Sequence, residues 1–326
     1  MSAVGVVESG PPVARRVSFV VIAYNEEGGI VACLDAIAAL DGLGDHEVVV
    51  VDDGSTDRTA ALVGEVARRR PSVTLLSQDN AGRGAARAAG SARVSGDVVA
   101  MVDGDICLPR DWLTRCLAEL GSADVVGGTP VPDGDVAYLH RRFHLDPLAA
   151  PASTTVTGSN GLYRAEVLET AHFDPSLRDG EDIAFNHLLR AQGRRTRSVP
   201  GLVVVHEEHK TFLESLRWLY QSGQGASRQL ARYREIRPPD LAFGGWLVAL
   251  AAAAAARIGT RDRRAAALPL AYIAAVSARH LTGKFVLRCE PSYLARFVAA
   301  TGADALLLTS YFAGRTTGML RWMRRR

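Results

Sequence analysis

The chain has 326 residues, 48% of them hydrophobic, which suits one large domain with an appendage and excludes a single small core. Its net charge of +3 hides an asymmetry: from residue 241 onward 13 Lys and Arg face 3 Asp and Glu, a net +10, so residues 1–240 carry −7. The C-terminal part is therefore expected to face something anionic, such as lipid headgroups or nucleic acid.

Residues 1–16, MSAVGVVESGPPVARR, lack an apolar signal core and read as a disordered lead-in. From Val17 the pattern alternates. VSFVVIAY (17–24) is a β-branched strand ending in NEEGG, and IVACLDAIAAL (30–40) has helical spacing. EVVVVDD (47–53) is a second strand. Ser55 and Thr56 are placed to cap a helix over 57–70, acidic at its start and basic at its end. SVTLLS (72–77) is a third strand, GRGAARAAGSAR (82–93) a small-residue helix and DVVAMVD (97–103) a fourth strand, with Pro109 placed to open the next helix. Continuous apolar strands separated by helices imply a mainly parallel sheet covered on both faces.

The second half is more mixed. A short strand over 123–129 precedes a variable excursion over 130–157, and 155–168 leads into a helix. A loop and helix cover 173–193, GLVVVHEEH (201–209) ends a further strand, and 211–234 is an amphipathic helix with a basic second half. After Pro238-Pro239 three apolar segments, 241–256, 265–278 and 297–314, alternate with arginine-rich stretches, and the chain ends RWMRRR. A soluble helical cap is one reading. Helices that embed in or lie on an anionic membrane surface fit the basic flanks better, and the long apolar runs fit lipid better than nucleic acid. The four cysteines, Cys33, Cys107, Cys116 and Cys289, have no CxxC spacing and read as reduced thiols in a cytosolic setting.

Acids gather where strands end: Asn25-Glu26-Glu27, Asp52-Asp53 and Asp103-Gly104-Asp105. In a parallel sheet ligands bind at those ends. Carboxylates converging there need a cation or a donor-rich ligand, and Mg²⁺ commonly binds through one or two carboxylates plus substrate phosphates. A metal-bound diphosphate is the expected ligand. A dinucleotide-dependent dehydrogenase is excluded because no GxGxxG follows the first strand. A nucleotidyltransferase would need a glycine-rich basic first loop where this chain has the acidic YNEEGG.

VVIAYNEE, VVVVDDGSTD, NAGRGAARAAG, VDGD, GEDIAFNHLLR and VVVH occur in the order seen in family-2 glycosyltransferases, which this chain resembles over residues 17–235. The resemblance implies a GT-A fold, a Rossmann-like, mainly parallel mixed sheet flanked by helices. Residues 17–128 would form the nucleotide-sugar-binding half, 129–235 the acceptor half and 236–326 a helical region like that of membrane-associated bacterial members. It implies a nucleoside for Ala23, Tyr24 and Glu27, the base or ribose for Asp53, the nucleotide for Arg83 and Arg87, and the ribose for Asp103. Asp52 is left as a helix cap. Asp105 would bind Mn²⁺ or Mg²⁺ with His206, for which His209 is a rival. Gly127-Gly128 and Gly158-Ser159-Asn160-Gly161 match loops lining the sugar and acceptor pocket. Asp182 would be the general base and Glu181 would orient or polarise nearby groups.

The implied activity is inverting hexosyl transfer from a UDP- or GDP-type donor to a hydroxyl acceptor, lipid-linked or part of a cell-envelope glycan, at the cytoplasmic face of the membrane and without nucleic acid as partner. Arg217-Trp218 resembles the QxxRW motif of processive synthases, but position 214 is Glu, so transfer of a single sugar is expected. A membrane-anchored, non-catalytic binding or scaffold protein is the alternative, against which the intact acids count.

Overall fold

The computed structural model describes residues 16–132, 156–206, 211–234, 236, 238–259, 263–282 and 293–324. The lead-in up to residue 15, positions 133–155 of the excursion and His209 lie outside the described residues. The first half runs β1 (Val17–Ala23), α1 (Ile30–Ala38), β2 (His46–Asp52), α2 (Thr59–Arg69), β3 (Val73–Ser77), α3 (Arg83–Ser91) and β4 (Val98–Asp103). It continues through β5 (Ile106–Cys107), α4 (Trp112–Glu119), β6 (Val125–Pro132), β7 (Asn160–Arg164), α5 (Ala165–Thr170), α6 (Glu181–Ala191) and β8 (Thr196–His206). Helices α7 (Phe212–Tyr233), α8 (Pro238–Gly259), α9 (Leu268–Thr282) and α10 (Tyr293–Met323) follow, with a short 3₁₀ turn Arg263–Ala267 before α9.

The strands form one eight-stranded sheet in the order β3-β2-β1-β4-β7-β6-β8-β5. β1 to β4 are parallel, as the apolar runs predict. β7 runs antiparallel to β4 and β6, while β6 and β8 are parallel, so the sheet is mixed beyond β4. All seven residues of β1 are buried, and alternate residues feed opposite layers. Phe19 and Val21 join Ile30, Leu34 and Trp112 on one face, and Val20 and Ile22 join Met101, Phe173 and Phe185 on the other.

Two local expectations are corrected. Ser55 and Thr56 do not cap α2, because the loop after β1 claims both: Asn25 N–H donates to Ser55 Oγ at 2.9 Å and Thr56 N–H donates to Asn25 Oδ1 at 2.8 Å. Asp57 instead accepts from Thr59 N–H at 2.9 Å. Pro109 lies in the turn before α4, its carbonyl accepting from Trp112 N–H at 2.9 Å, rather than in the helix.

The C-terminal helices are not a detached appendage. α10 lies along α7, where Ser310 Oγ donates to the Leu216 carbonyl at 2.7 Å and Ser227 Oγ to the Arg315 carbonyl at 2.8 Å. The helices approach so closely that a Cβ at Gly314 would fall 1.9 Å from the Tyr220 carbonyl oxygen. Arg315, fully buried, pairs with Asp240 of α8 at 2.5 Å and stands over the Phe243 ring at 4.9 Å. The 16-residue uncharged run from 241 becomes the core of a 22-residue helix, α8. Among the described residues, Pro239–Gly259 is the one segment long and apolar enough to cross a bilayer.

At the opposite end of the parallel strands from their C-terminal acids, Glu47 ties β1, β2 and the turn before β4 together. It accepts from Ser18 Oγ at 2.7 Å and from Ser95 N–H at 2.8 Å, with Arg16 at 3.8 Å. Partial burial raises the carboxyl pKa, but these donors outweigh it and hold it below its ordinary value of 4.5. A depressed carboxylate stabilises the fold above its unfolded-state pKa, and that stabilisation is lost as pH falls through the folded-state value. Glu47→Ala should therefore lower the melting temperature at pH 7 by about 2–4 °C, for a loss of about 1 kcal/mol. Melting curves taken down to acid pH should show the gap to wild type closing below the ordinary glutamate range.

Candidate active site

The centre of the cleft is an arginine without water. Arg87, on the buried face of α3, forks to two carboxylates: Nη2 donates to Asp103 Oδ1 at 2.7 Å and Nε to Glu181 Oε1 at 3.1 Å. Its side chain is 2% exposed, so the charge needs these partners. Asp103 comes from the end of β4 and Glu181 from the start of α6, so one guanidinium joins the sheet to α6. Gly158 makes room for it: a Cβ there would lie 2.8 Å from Arg87 Nη2. Nη1 is buried with no hydrogen-bond partner.

The electrostatics follow from this triad. Burial pushes the Asp103 carboxyl up, but Arg87 and then Arg83 overcome it and hold the carboxyl below its ordinary value. Burial raises Glu181, and Asp182 beside it adds to the rise against the opposing pull of Arg87. Arg83 is exposed on the first turn of α3. Desolvation by the crowded cleft wall works to lower its pKa, and the Asp103 and Glu181 carboxylates reverse that into a net rise.

Two residues beyond Asp103, the chain returns to buried Asp105. Its Oδ2 lies 2.8 Å from His206 Nε2, the last residue of β8, while Oδ1 is buried and has no hydrogen-bond partner among the described residues. The two proposed metal ligands, separated by 101 positions, are thus adjacent because β5 pairs with β8 in a register that sets Ile106 opposite His206. Among the described residues no group of three or more His, Cys, Asp or Glu side chains is arranged to hold a metal ion.

Residues 18–171 match the model of glycosyl transferase family 2. The succinoglycan biosynthesis protein ExoO of Rhizobium meliloti (strain 1021) is 36% identical over 218 residues, which cover 59% of this chain and 61% of that protein. An undecaprenyl-phosphate 4-deoxy-4-formamido-L-arabinose transferase of Edwardsiella ictaluri (strain 93-146) is 35% identical over 130 residues, 39% of this chain and 40% of that protein. The chain thus spans less than two thirds of the length of either relative. Over residues 18–171, a little under half of its length, this chain is similar to the family-2 glycosyltransferases. The fold is GT-A. It is shared with the mannosyltransferase PcManGT from Pyrobaculum calidifontis, solved with GDP-Man and Mn²⁺, at a TM-score of 0.58, 23% identity, and coverage of 94% of this chain and 87% of that one.

Of the residues that the resemblance assigned to the nucleotide sugar, Ala23, Tyr24, Glu27, Asp53 and Asp103 lie at or just after the C-terminal ends of β1, β2 and β4, and Arg83 and Arg87 lie on α3. Tyr24 is exposed at 47%, whereas Ala23 is buried and its carbonyl accepts from Asp53 N–H at 2.9 Å. Glu27 Oε2 accepts from Arg58 N–H at 3.1 Å, fastening the two first loops to each other. Asp53 is committed to the protein: Oδ1 accepts from Gln78 Nε2 at 2.7 Å and Ala81 N–H at 2.9 Å, and Oδ2 from Gly82 N–H at 2.8 Å. It shapes the loop that leads into α3. Asp52 Oδ1 accepts from Ser55 N–H at 3.2 Å and turns the chain after β2 instead of capping α2.

Gly127 packs on Val156 and Asn160, and buried Asn160 accepts from Gly128 N–H at 2.6 Å, so these glycines join β6 to β7. Glu214 takes part in a capping box with Thr211, which accounts for an acid where a processive motif would have glutamine. Sequence reasoning missed Gln78, Asn160 as an anchor, and Gln229. Only Asn160 lay in a motif it had singled out.

Arg87→Met should destabilise the fold by about 3–5 kcal/mol, because it leaves Asp103 and Glu181 buried without their cation. Urea unfolding followed by fluorescence reads this as a lowered midpoint at unchanged slope. Arg87→Lys should recover only part of the loss, since an ammonium cannot reproduce the planar fork.

Proposed function

We propose that the protein is a metal-dependent, inverting glycosyltransferase that moves a single sugar from a nucleoside-diphosphate sugar to a hydroxyl acceptor at the cytoplasmic face of a membrane. The observation that carries this reading is the pair of acidic positions flanking the Arg87 triad. Asp105, beside His206, keeps a buried oxygen without a hydrogen-bond partner among the described residues, and Asp182 adjoins Glu181 on the first turn of α6.

The donor set fits a divalent cation. Oxygen and imidazole ligands suit Mn²⁺ and, less well at the histidine, Mg²⁺. With two protein side chains at hand, Asp105 and His206 would hold the ion and the donor's diphosphate oxygens would complete its shell. When bound, the ion supplies charge neutralisation for the departing nucleoside diphosphate.

The chain's own residues do the rest. Tyr24 and Glu27 line the nucleoside end, Arg83 faces the nucleotide across the cleft mouth, and the Arg87 fork keeps Asp103 ionised toward the ribose. Asp182 accepts the proton of the acceptor hydroxyl as that oxygen bonds to the anomeric carbon and the bond to the diphosphate breaks, which inverts the configuration. Glu181, held by Arg87, fixes the first turn of α6 beneath it. Holding both substrates supplies alignment.

The donor is of the UDP or GDP type, and the acceptor hydroxyl is lipid-linked or part of a cell-envelope glycan. Relatives with undecaprenyl-phosphate and succinoglycan in their names support that class. So does α8, which is long and apolar enough to cross a bilayer and exposes Leu241, Val248, Leu250 and Ile258.

Calorimetry of the full chain with UDP and GDP should give binding of one nucleotide that depends on Mn²⁺ and is lost with EDTA. Asp105→Ala should abolish that binding, whereas Asp182→Asn should keep it and cut transfer to a small residual rate. Metal-independent binding, or normal turnover by Asp182→Asn, would sink the corresponding assignment. Flotation with vesicles should recover the protein with phosphatidylglycerol bilayers more than with neutral phosphatidylcholine, and salt should reduce only that difference. Equal recovery on both would remove the anionic surface from the reading.

A further inference from the structure

Helix α7 closes on the segment that leads into the candidate base. Arg232 Nη1 donates to Asp174 Oδ2 at 2.9 Å, and Arg228 Nη2 to Asp179 Oδ1 at 3.2 Å. Between these two exposed ion pairs, Gln229 Nε2 donates to the Gly180 carbonyl at 2.9 Å. Exposed pairs of this kind contribute little. The glutamine is different, because it is buried at 7% exposure and its partner is the residue that starts α6.

Gly180 has φ 69° and ψ 20°, a left-handed turn that favours glycine. Its carbonyl accepts twice, from Gln229 and from Ala184 N–H at 3.2 Å, the latter being the first-turn bond of α6. A Cβ on Gly180 would lie 1.9 Å from Gln229 Nε2, so the carboxamide fills the space beside the turn. Glu181 and Asp182 are the next two residues. Glu181 is already fixed by Arg87, whereas among the described residues Asp182 has no such clamp on its side chain beyond the neighbouring Ile183 N–H at 2.7 Å. The direction in which Asp182 points is therefore set by how the backbone enters α6. Tyr233, at the end of α7, packs against His187 of α6 with ring centroids 4.5 Å apart and the rings tilted by 38°, a second contact between the two helices.

We propose that Gln229 is a positioning residue for the transfer reaction: its carboxamide holds the Gly180 turn and thereby aims Asp182 at the acceptor hydroxyl. The proposal rests on the reading of Asp182 as the base. It also gives α10 a part in catalysis, since α10 holds α7 in place through Ser227 and Arg315.

The test uses the full chain and whichever of UDP-glucose or GDP-mannose it turns over, with Mn²⁺ present. Gln229→Ala should lower kcat by about 10–100-fold, the cost of a misplaced group, while the nucleotide Kd stays at the wild-type value. Gln229→Glu, which keeps the shape but replaces the donor with an acceptor, should lose kcat in the same way and guards against a simple packing defect. In an Asp182→Asn background Gln229→Ala should cause no further loss, because it acts through the group already removed. Wild-type kcat in both glutamine variants, an equal loss of nucleotide affinity, or losses that multiply with Asp182→Asn would each overturn the proposal. Full turnover by Asp182→Asn alone would instead remove the base assignment beneath it, a result distinguishable from all of these.

Discussion

The site depends on burying one guanidinium between two carboxylates. Arg87 cannot lose its proton and cannot reach water, so Asp103 and Glu181 must be where they are or the fold bears an unpaired charge. A planar fork suits the task because its nitrogens point at two acids in different directions, which an ammonium does not do. Since the acids belong to β4 and α6, the interaction fixes the end of the parallel strands against the start of α6. The triad carries one negative charge in all. Asp105 and Asp182 stand beside it with no arginine of their own within ion-pair distance among the described residues. That surplus of negative charge is what a divalent cation on one side and an acceptor proton on the other would relieve.

The loops around the triad are stiffened by backbone donors more than by side-chain pairs. Asp53 takes three donors from Gln78, Ala81 and Gly82, and α3 then begins against the segment before α6, with Gly84 N–H donating to the Leu177 carbonyl at 3.0 Å. An acid at a strand end can therefore serve a ligand indirectly. Three of its hydrogen bonds stay within the protein and hold the loop that leads into α3.

The parallel half of the sheet was legible because β1, β2 and β4 are buried on both faces and write that burial as unbroken apolar runs. The antiparallel insertion of β7 between β4 and β6 was not, since its residues, NGLYR, carry little strand pattern and their place depends on pairing with distant chain. Asp105 and His206 were paired by resemblance alone; nothing in spacing brings together positions 101 apart. Arg87 was legible as a cleft residue but not as its buried centre. In a helix as rich in Ala and Gly as α3, side-chain pattern does not say which face is covered. Ser55 and Thr56 misled because capping was weighed locally, whereas Asn25, 30 or so residues upstream, competes for both.

The composition boundary near residue 235 does not coincide with a boundary in packing. Helix α7 lies before it and α10 after it, yet a glycine of α10 seats against the α7 backbone, and the buried Arg315 pairs with Asp240 of α8. Removing everything after residue 240 would uncover the face of α7 opposite the α6 turn and loosen the element that carries Gln229. The apolar helices and the acid-bearing turn are thus two ends of one mechanical unit. A surface that fixes α8 and α10 also fixes α7, so the same packing that would hold the chain on lipid would hold Asp182 in line with an acceptor presented from that lipid.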